Sequence, residues 1–304
     1  MKVVVTGGAG FIGSHLVRSL IARGAEVHVI DNLSSGSAER VHPKASLHIE
    51  DIRFGRAKRI ITSVKPDVVY HLAAQADVQR SIAHPNRDAS INVGGTINML
   101  EACIQAGVHK MIFASTSGVY GNLERERITE QDPTDPISFY AMSKLTAERY
   151  IRLYSRFYGL GYTILRYGNV YGPGQTAKGE GGVIANFIER TVKGLPLVIN
   201  GEGLQTRDFI YVGDIVSANL AAAALGDHET LHVSTGLRTS INHLAELLRD
   251  LHPDEIEVLY QPAKPGDIMH SCLSCERTRH ILQWEPITGI ERGVGETYRF
   301  WTEP

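Results

Sequence analysis

The sequence predicts an α/β chain, with a doubly wound parallel sheet and a smaller C-terminal lobe. Three observations predict it. Short β-branched runs alternate with helical patterns through the first half. Those runs are continuously apolar, so helices must cover both faces of the sheet. The first run also breaks at a turn spaced Gly7, Gly10, Gly13 that opens directly into a helical pattern.

Taken in order, Lys2 to Thr6 reads as a strand, Phe11 to Arg23 as a helix, and Glu26 to Asp31 as a strand. Leu47 to Ile49, Val68 to Leu72, Met111 to Ser115 and Thr163 to Arg166 are further strands. Helices fit Gly55 to Val64, Asn92 to Ala106 and Phe139 to Tyr158. Crossovers between parallel strands should be right-handed. The charged stretch Asn122 to Pro136 reads as a solvated loop. After Tyr167 the pattern changes. Gly172 to Gly182 is rich in glycine and reads as a loop or substrate-facing segment. Helices follow at Val183 to Lys193, Asp214 to Leu225 and Ile241 to Leu251. We therefore expect residues 1–167 to form the dinucleotide-binding domain, with a segment at about 209–234 returning to it. Residues 168–304 should form mainly the substrate lobe.

Composition narrows the function. Hydrophobic content of 43% with 21% charged residues suits a globular chain with a full core. Thirty-one Lys+Arg against 33 Asp+Glu give a net charge of −2, which offers no basic footprint for nucleic acid. No apolar run approaches a membrane span. The apolar start breaks at Gly7-Gly8 with no cleavage-site pattern, so a cytoplasmic protein is expected. Cys103 lies in an apolar helical run. Cys272 and Cys275 form a lone C-x-x-C, without a second pair to complete a metal site, and read as incidental in a reducing compartment. No metal is expected.

The glycine turn reads as a dinucleotide site because it follows a strand and opens a helix. Gly7 allows the tight turn, Gly10 lets backbone approach a pyrophosphate, and Gly13 lets helix and strand pack closely. The helix start, with Phe11 and Ile12, offers N–H donors and partial positive charge. Asp31 ends the second strand, where its carboxylate can accept from both ribose hydroxyls and repel a 2′-phosphate. NAD is thus favoured over NADP; a helix cap is the competing reading. Asn32 beside it is assigned to the cofactor too. Asp51 and Ile52 would flank the adenine, though Asp51 also fits an N-cap. Ala73 and Ala74 leave room for cofactor over the sheet edge, and small-residue packing explains them nearly as well.

Tyr140 and Lys144 stand one helical turn apart and so share a face. A free phenol has a pKa of about 10, and a neighbouring ammonium lowers it. The phenolate can then take a proton from a hydroxyl while hydride leaves the same carbon. Ser115, Thr116 and Ser117 end the fifth strand, where open parallel sheets place their ligands. Their hydroxyls suit a substrate oxygen, and turn chemistry is the plainer alternative.

The motifs T-G-G-A-G-F-I-G, D-N-L-S-S-G, H-L-A-A-Q, S-T-S-G-V-Y-G, Y-x-x-x-K and L-R-Y-G-N-V-Y-G-P resemble the extended short-chain dehydrogenase/reductases. Among these the chain is most similar to nucleotide-sugar epimerases of the UDP-glucose 4-epimerase type, over nearly its whole length. The resemblance implies a Rossmann fold, bound NAD, and catalysis by Thr116, Tyr140 and Lys144, with Lys144 also on the nicotinamide ribose. It implies that Asn92 props the active-site helix at the cofactor. It places Asn169 and Arg207 on the sugar diphosphate, and Lys264 and Asp267 on phosphate and nucleotide ribose. Lys264 departs from the usual Arg of that motif and loses bidentate recognition of phosphate.

Related dehydratases and decarboxylases carry an acid two residues before the V-Y-G tyrosine, whereas this chain has Ser117-Gly118 there. The absence of a carboxylate favours 4-epimerisation: oxidation at C4, rotation of the keto sugar about its diphosphate bond, and return of hydride. Ser271 occupies a position that edges the sugar pocket in these relatives, and its small side chain suggests that N-acetylhexosamines are accepted beside UDP-glucose and UDP-galactose. The helices Asn92 to Ala106 and Phe139 to Tyr158 are those that relatives pair in a homodimer. The alternatives are a 4,6-dehydratase, a uronate decarboxylase or 4-epimerase, and a non-catalytic NAD sensor, which would have no need of a tuned phenol.

Overall fold

A computed structural model describes residues 1–177, 182–263 and 268–303. In chain order the strands are β1 (Lys2–Thr6), β2 (Glu26–Asp31), β3 (Ser46–Ile49), β4 (Val68–His71), β5 (Lys110–Thr116), β6 (Gly161–Tyr167), β7 (Asn169–Tyr171), β8 (Leu197–Asn200), β9 (Thr206–Arg207), β10 (Phe209–Tyr211), β11 (Glu229–Val233), β12 (Thr239–Ser240) and β13 (Val258–Gln261). The helices are α1 (Phe11–Ala22), α2 (Gly55–Val64), α3 (Val78–Ala83), α4 (Pro85–Ala89), α5 (Gly95–Ala106), α6 (Phe139–Tyr158), α7 (Val183–Val192), α8 (Val212–Ala222), α9 (Ile241–Leu251), α10 (Glu276–Leu282) and α11 (Ile290–Thr302).

The main sheet runs β11-β6-β5-β4-β1-β2-β3, with every pairing parallel. The chain leaves β1 in one direction through β2 and β3, then returns to build β4, β5 and β6 on the other side. This puts the topological switch point between β1 and β4, where open α/β sheets bind ligands. The outermost strand beyond β6 comes from residues 229–233, after the chain has built β7 to β10 and α8.

Alternation along β1 shows why both faces are dry. Val3 and Val5 join Leu16, Val17 and Leu20 of α1 on one side. Val4 joins Ile61 of α2 and Met99, Leu100 and Cys103 of α5 on the other. All are essentially inaccessible to solvent, and each such side chain contributes about 1.5–3 kcal/mol on burial. A separate apolar cluster, built on Ile184, Phe187, Leu197, Phe209, Leu244 and Val294, holds the second lobe together.

Helix ends follow local chemistry. The Ser138 hydroxyl accepts from Ala141 N at 3.2 Å to start α6, and Gly159, at φ 74°, stops it in the left-handed conformation. The expected helix from Asn92 is interrupted. Ser90–Gly94 form a π-helical turn ahead of α5, and Asn92 inserts its side chain into a polar cluster there while its carbonyl accepts from Thr96 Oγ1 at 2.6 Å. Such insertions accompany functional positions. The expected solvated loop at 122–136 is only partly solvated: Ile128 is buried and pairs as a parallel bridge with Leu273.

Candidate functional site

A cavity of about 660 Å³ opens at the switch point and extends under β8 and β9 of the second lobe. Gly7, at φ 73°, forms the turn out of β1, and a Cβ there would lie 2.7 Å from Ala73 N. A Cβ on Gly13 would lie 2.1 Å from Gly7 O. These two glycines therefore allow backbone contact between β1, β4 and α1. Gly10 differs: a Cβ there would meet only Gly7 O, at 3.3 Å. Since Gly10 lines the cavity, its missing side chain leaves a cradle. The N-terminus of α1 carries no side-chain cap and no acidic residue in its first turn, so its dipole and N–H donors remain available to an anion.

Asp31 accepts from Ala9 N at 3.0 Å and from Leu33 N at 2.8 Å. Burial pushes its carboxyl above the usual range, and those two bonds only partly oppose this. Asn32 donates to Asp51 at 3.0 Å. Asp51 lines the cavity, and Phe54 rather than Asp51 stands at the N-cap of α2. Arg53 engages Asp51 through Nε at 3.0 Å and Nη2 at 2.8 Å. Burial pushes the Asp51 carboxyl up, but these bonds outweigh it and hold the group below its ordinary value. Ile52, Ala73 and Ala74 line the same end of the cavity, as do Phe11 and Ile12.

Asn92 is not among the cavity-lining residues. Its amide nitrogen donates to Gln75 O at 2.9 Å, Ser143 Oγ at 3.0 Å and Asp88 Oδ1 at 3.2 Å, and its oxygen accepts from Gln75 N at 2.8 Å. Every polar atom of the side chain is used to tie the segment after β4 to α6.

Thr116, at the carboxyl end of β5, and Tyr140 and Lys144, on α6, all line the cavity. Thr116 Oγ1 accepts from Gly118 N at 3.1 Å, which leaves its O–H free to turn outward. Lys144 is buried, donates to Ala114 O at 2.9 Å, and holds its ammonium 4.7 Å from the Phe113 ring centroid. Burial, reinforced by the Lys144 charge, pushes His71 down to about 3, so that ring stays neutral between Thr6 and Thr96.

Asn169 and Arg207 face the cavity from the second lobe. Ser271 is not among the lining residues. Its N–H donates to Thr206 O at 3.2 Å, beside the His270–Thr206 bridge. Lys264 and Asp267 lie outside the described residues. Sequence reasoning missed Arg40, Arg53, Arg80, Arg87, Gln175 and Gln205, which also line the cavity. Arg53 had a readable signal in its spacing of two from Asp51. Arg80 and Arg87 sit on helices too short to show a period. No cluster of three or more metal-ligating side chains occurs among the described residues, and the three cysteines are free.

A glycine cradle at an uncapped helix start, an acid closing β2, and a hydroxyl from β5 with a phenol and ammonium from α6 together define a nicotinamide-dinucleotide enzyme of the Rossmann class. The model of the NAD dependent epimerase/dehydratase family matches residues 3–236. The chain belongs to that family, and its cofactor is NAD. It is similar to the Thermotoga maritima UDP-glucose 4-epimerase solved with UDP-glucose: 42% identity, TM-score 0.97, covering 100% of this chain and 99% of that one. The Thermus thermophilus UDP-glucose 4-epimerase solved with NAD is 40% identical, with TM-score 0.94 and coverage of 100% and 99%. A UDP-N-acetylglucosamine 4-epimerase from Methanobrevibacter ruminantium, in complex with UDP-N-acetylmuramic acid, is 36% identical at TM-score 0.94 and covers 99% and 98%.

Proposed function

We propose that the chain is a UDP-hexose 4-epimerase that interconverts UDP-glucose and UDP-galactose. The observation that carries this reading is that Thr116, Tyr140 and Lys144 all line the cavity. The lining carboxylates support it: among the described residues they are Asp31, Glu50, Asp51 and Asp77, which come from the end of β2, the segment after β3 and the start of α3. The β5 end supplies hydroxyls and no acid. Elimination needs a carboxylate shuttle there, whereas reversible oxidation does not.

NAD, when bound, supplies reversible storage of a hydride. Gly7, Gly10, Phe11, Ile12, Asp31, Asn32, Asp51, Ile52, Ala73, Ala74 and Lys144 would hold it. Tyr140 takes and returns the proton of the C4 hydroxyl, and Thr116 bridges that oxygen. The Lys144 ammonium favours the phenolate. Asn169, Arg207, Lys264 and Asp267 grip the diphosphate and nucleotide while the sugar turns. Residues 1–167, with about 209–234, form the cofactor-binding unit in this reading, and the rest of 168–304 binds substrate. Acceptance of N-acetylhexosamines stays within the proposal and rests on the small side chain of Ser271.

Self-association through α6 belongs to the same reading. Met142, Leu153, Phe157 and Tyr158 are exposed along it, whereas α5 presents Glu101 and Gln105 outward. No helix among the described residues is long and apolar enough to cross a membrane, and three free cysteines suit the reducing cytoplasm.

The test is product analysis by NMR, using purified protein without added NAD. UDP-glucose, UDP-galactose, their N-acetyl counterparts and UDP-glucuronate are each supplied. Conversion of UDP-glucose to UDP-galactose at unchanged mass is expected, and a mass change would instead identify a dehydratase or decarboxylase. Tyr140→Phe should lower kcat by about 10²–10⁴-fold, and near-normal turnover would remove Tyr140 as the base.

A further inference from the structure

Behind the catalytic wall runs a line of buried polar side chains that the proposed chemistry does not use. Glu148 is 0% exposed, Arg166 4%, Tyr120 1% and His232 0%. Glu148 lies one turn beyond Lys144 on α6. It accepts from Ser115 Oγ at 2.6 Å, while Lys144 donates to the carbonyl of the adjacent Ala114. The helix is therefore latched to the end of β5 at two successive turns. Arg166, near the end of β6, grips both carboxylate oxygens of Glu148 at 2.9 and 2.7 Å. Burial pushes the Glu148 carboxyl up, but the Arg166 bonds outweigh it and keep the group ionised, with its pKa lowered.

The line continues in one direction only. Arg166 can only donate, and its Nη1 donates to Tyr120 OH at 2.6 Å. The Tyr120 O–H then donates to His232 Nε2 at 2.6 Å. The other ring nitrogen of His232 faces Ser274 O at 3.0 Å, and a carbonyl can only accept, so the ring carries its proton on Nδ1. Each donor has one acceptor, so the order of the chain is fixed by chemistry. Ser274 N in turn donates to Ile128 O at 2.8 Å, and Ser271, three residues earlier, bonds to Thr206 beside Arg207. The line therefore starts on the helix bearing Tyr140 and ends on the segment that bonds to Thr206, the residue before Arg207.

We propose that Glu148, Arg166, Tyr120 and His232 are positioning residues that fix the catalytic helix relative to the nucleotide-sugar-binding lobe. This rests on the epimerase reading for its kinetic consequence, but not for its structural one. A buried ion pair by itself is weak evidence for stability. What favours positioning here is a fully satisfied network that joins four separate chain segments, since such networks specify a single arrangement.

The test uses the full-length NAD-loaded protein and the variant Tyr120→Phe, which keeps the ring and removes the central O–H. With rates normalised to bound NAD, kcat for UDP-glucose should fall by about tenfold, the equivalent of one charge-assisted hydrogen bond, while KM stays within about twofold. Amide exchange should quicken together in residues 139–148 and 271–275, with β2 and β3 unchanged. Ser115→Ala, which removes only one Glu148 contact, should reproduce the kcat loss at about threefold. An unchanged normalised kcat in both variants, or exchange that quickens only next to residue 120, would overturn the proposal. If the wild type turns over no UDP-hexose, the epimerase reading fails by itself, and the exchange measurement still decides this one.

Discussion

Replacing two glycines of one turn separates the roles the structure gives them. A Cβ on Gly13 would sit 2.1 Å from Gly7 O, well inside the 3.4 Å at which ordinary contact begins, with Gly8 Cα at 2.8 Å and Gly7 C at 2.9 Å. All three obstacles are backbone, so Gly13→Ala must push α1 away from the turn by more than an ångström. Overpacking of this kind costs about 1–3 kcal/mol, and here the upper end or beyond is expected because nothing flexible can yield. Gly10→Ala meets a single atom at 3.3 Å, at φ −79° and ψ −176°, which alanine adopts freely. Its stability cost should stay within about 0.5 kcal/mol, but its methyl group projects into the cradle. The assay is urea unfolding of each variant stripped of cofactor, beside NAD retained after gel filtration. Gly13→Ala should lose both stability and NAD, and Gly10→Ala should lose NAD with an unchanged midpoint. Full NAD retention by Gly10→Ala would refute the cradle, and an unchanged midpoint for Gly13→Ala would refute the close approach of helix and turn.

Removing the Asp31 carboxylate with Asp31→Ala leaves Ala9 N and Leu33 N without their acceptor, so NAD affinity should fall at least about tenfold while discrimination against NADP relaxes; titration with both cofactors reads this, and retained discrimination would count against Asp31 as its source. Burial holds His71 at about 3 and His232 at about 4, so their ring resonances should not titrate between pH 8 and 5.5. The unfolded rings protonate near 6.5, and depressed folded values mean these groups contribute stability above that pH, which is lost as pH falls through the window toward 4 and 3. An NMR titration near 6.5 for either ring would contradict the buried neutral state. Leu153→Glu with Phe157→Glu alters side chains 47% and 71% exposed and should yield a monomer by sedimentation, with NAD binding intact; a protein whose association is unaffected would locate the interface elsewhere.

How much of this was legible beforehand depended on whether the information was local. Strand β1, the glycine turn and α1 were readable because period, turn chemistry and helix start lie within a few residues of each other. The same holds for Tyr140 and Lys144, one turn apart on α6. β11 was harder, because it joins the sheet only by pairing with β6 across some sixty residues of intervening chain. β8 and β13 pair the same way in the second lobe. Asn92 and Asp51 show a subtler limit: the chemical type of each was readable, but not the neighbours it bonds. The Asp51 carboxylate meets an arginine two residues on, visible in the sequence if the pair is considered as a unit. Asn92 ties Gln75 to Ser143 of the active-site helix, on separate elements, and no spacing rule reports those partners. The buried line from Glu148 to Ser274 is the extreme case. Its members lie on α6, β6, the turn after β5, β11 and the segment before α10, and each taken singly reads as an ordinary polar residue. Only their meeting turns them into a latch, so a site's reacting groups can be local in sequence while the groups that aim them are not.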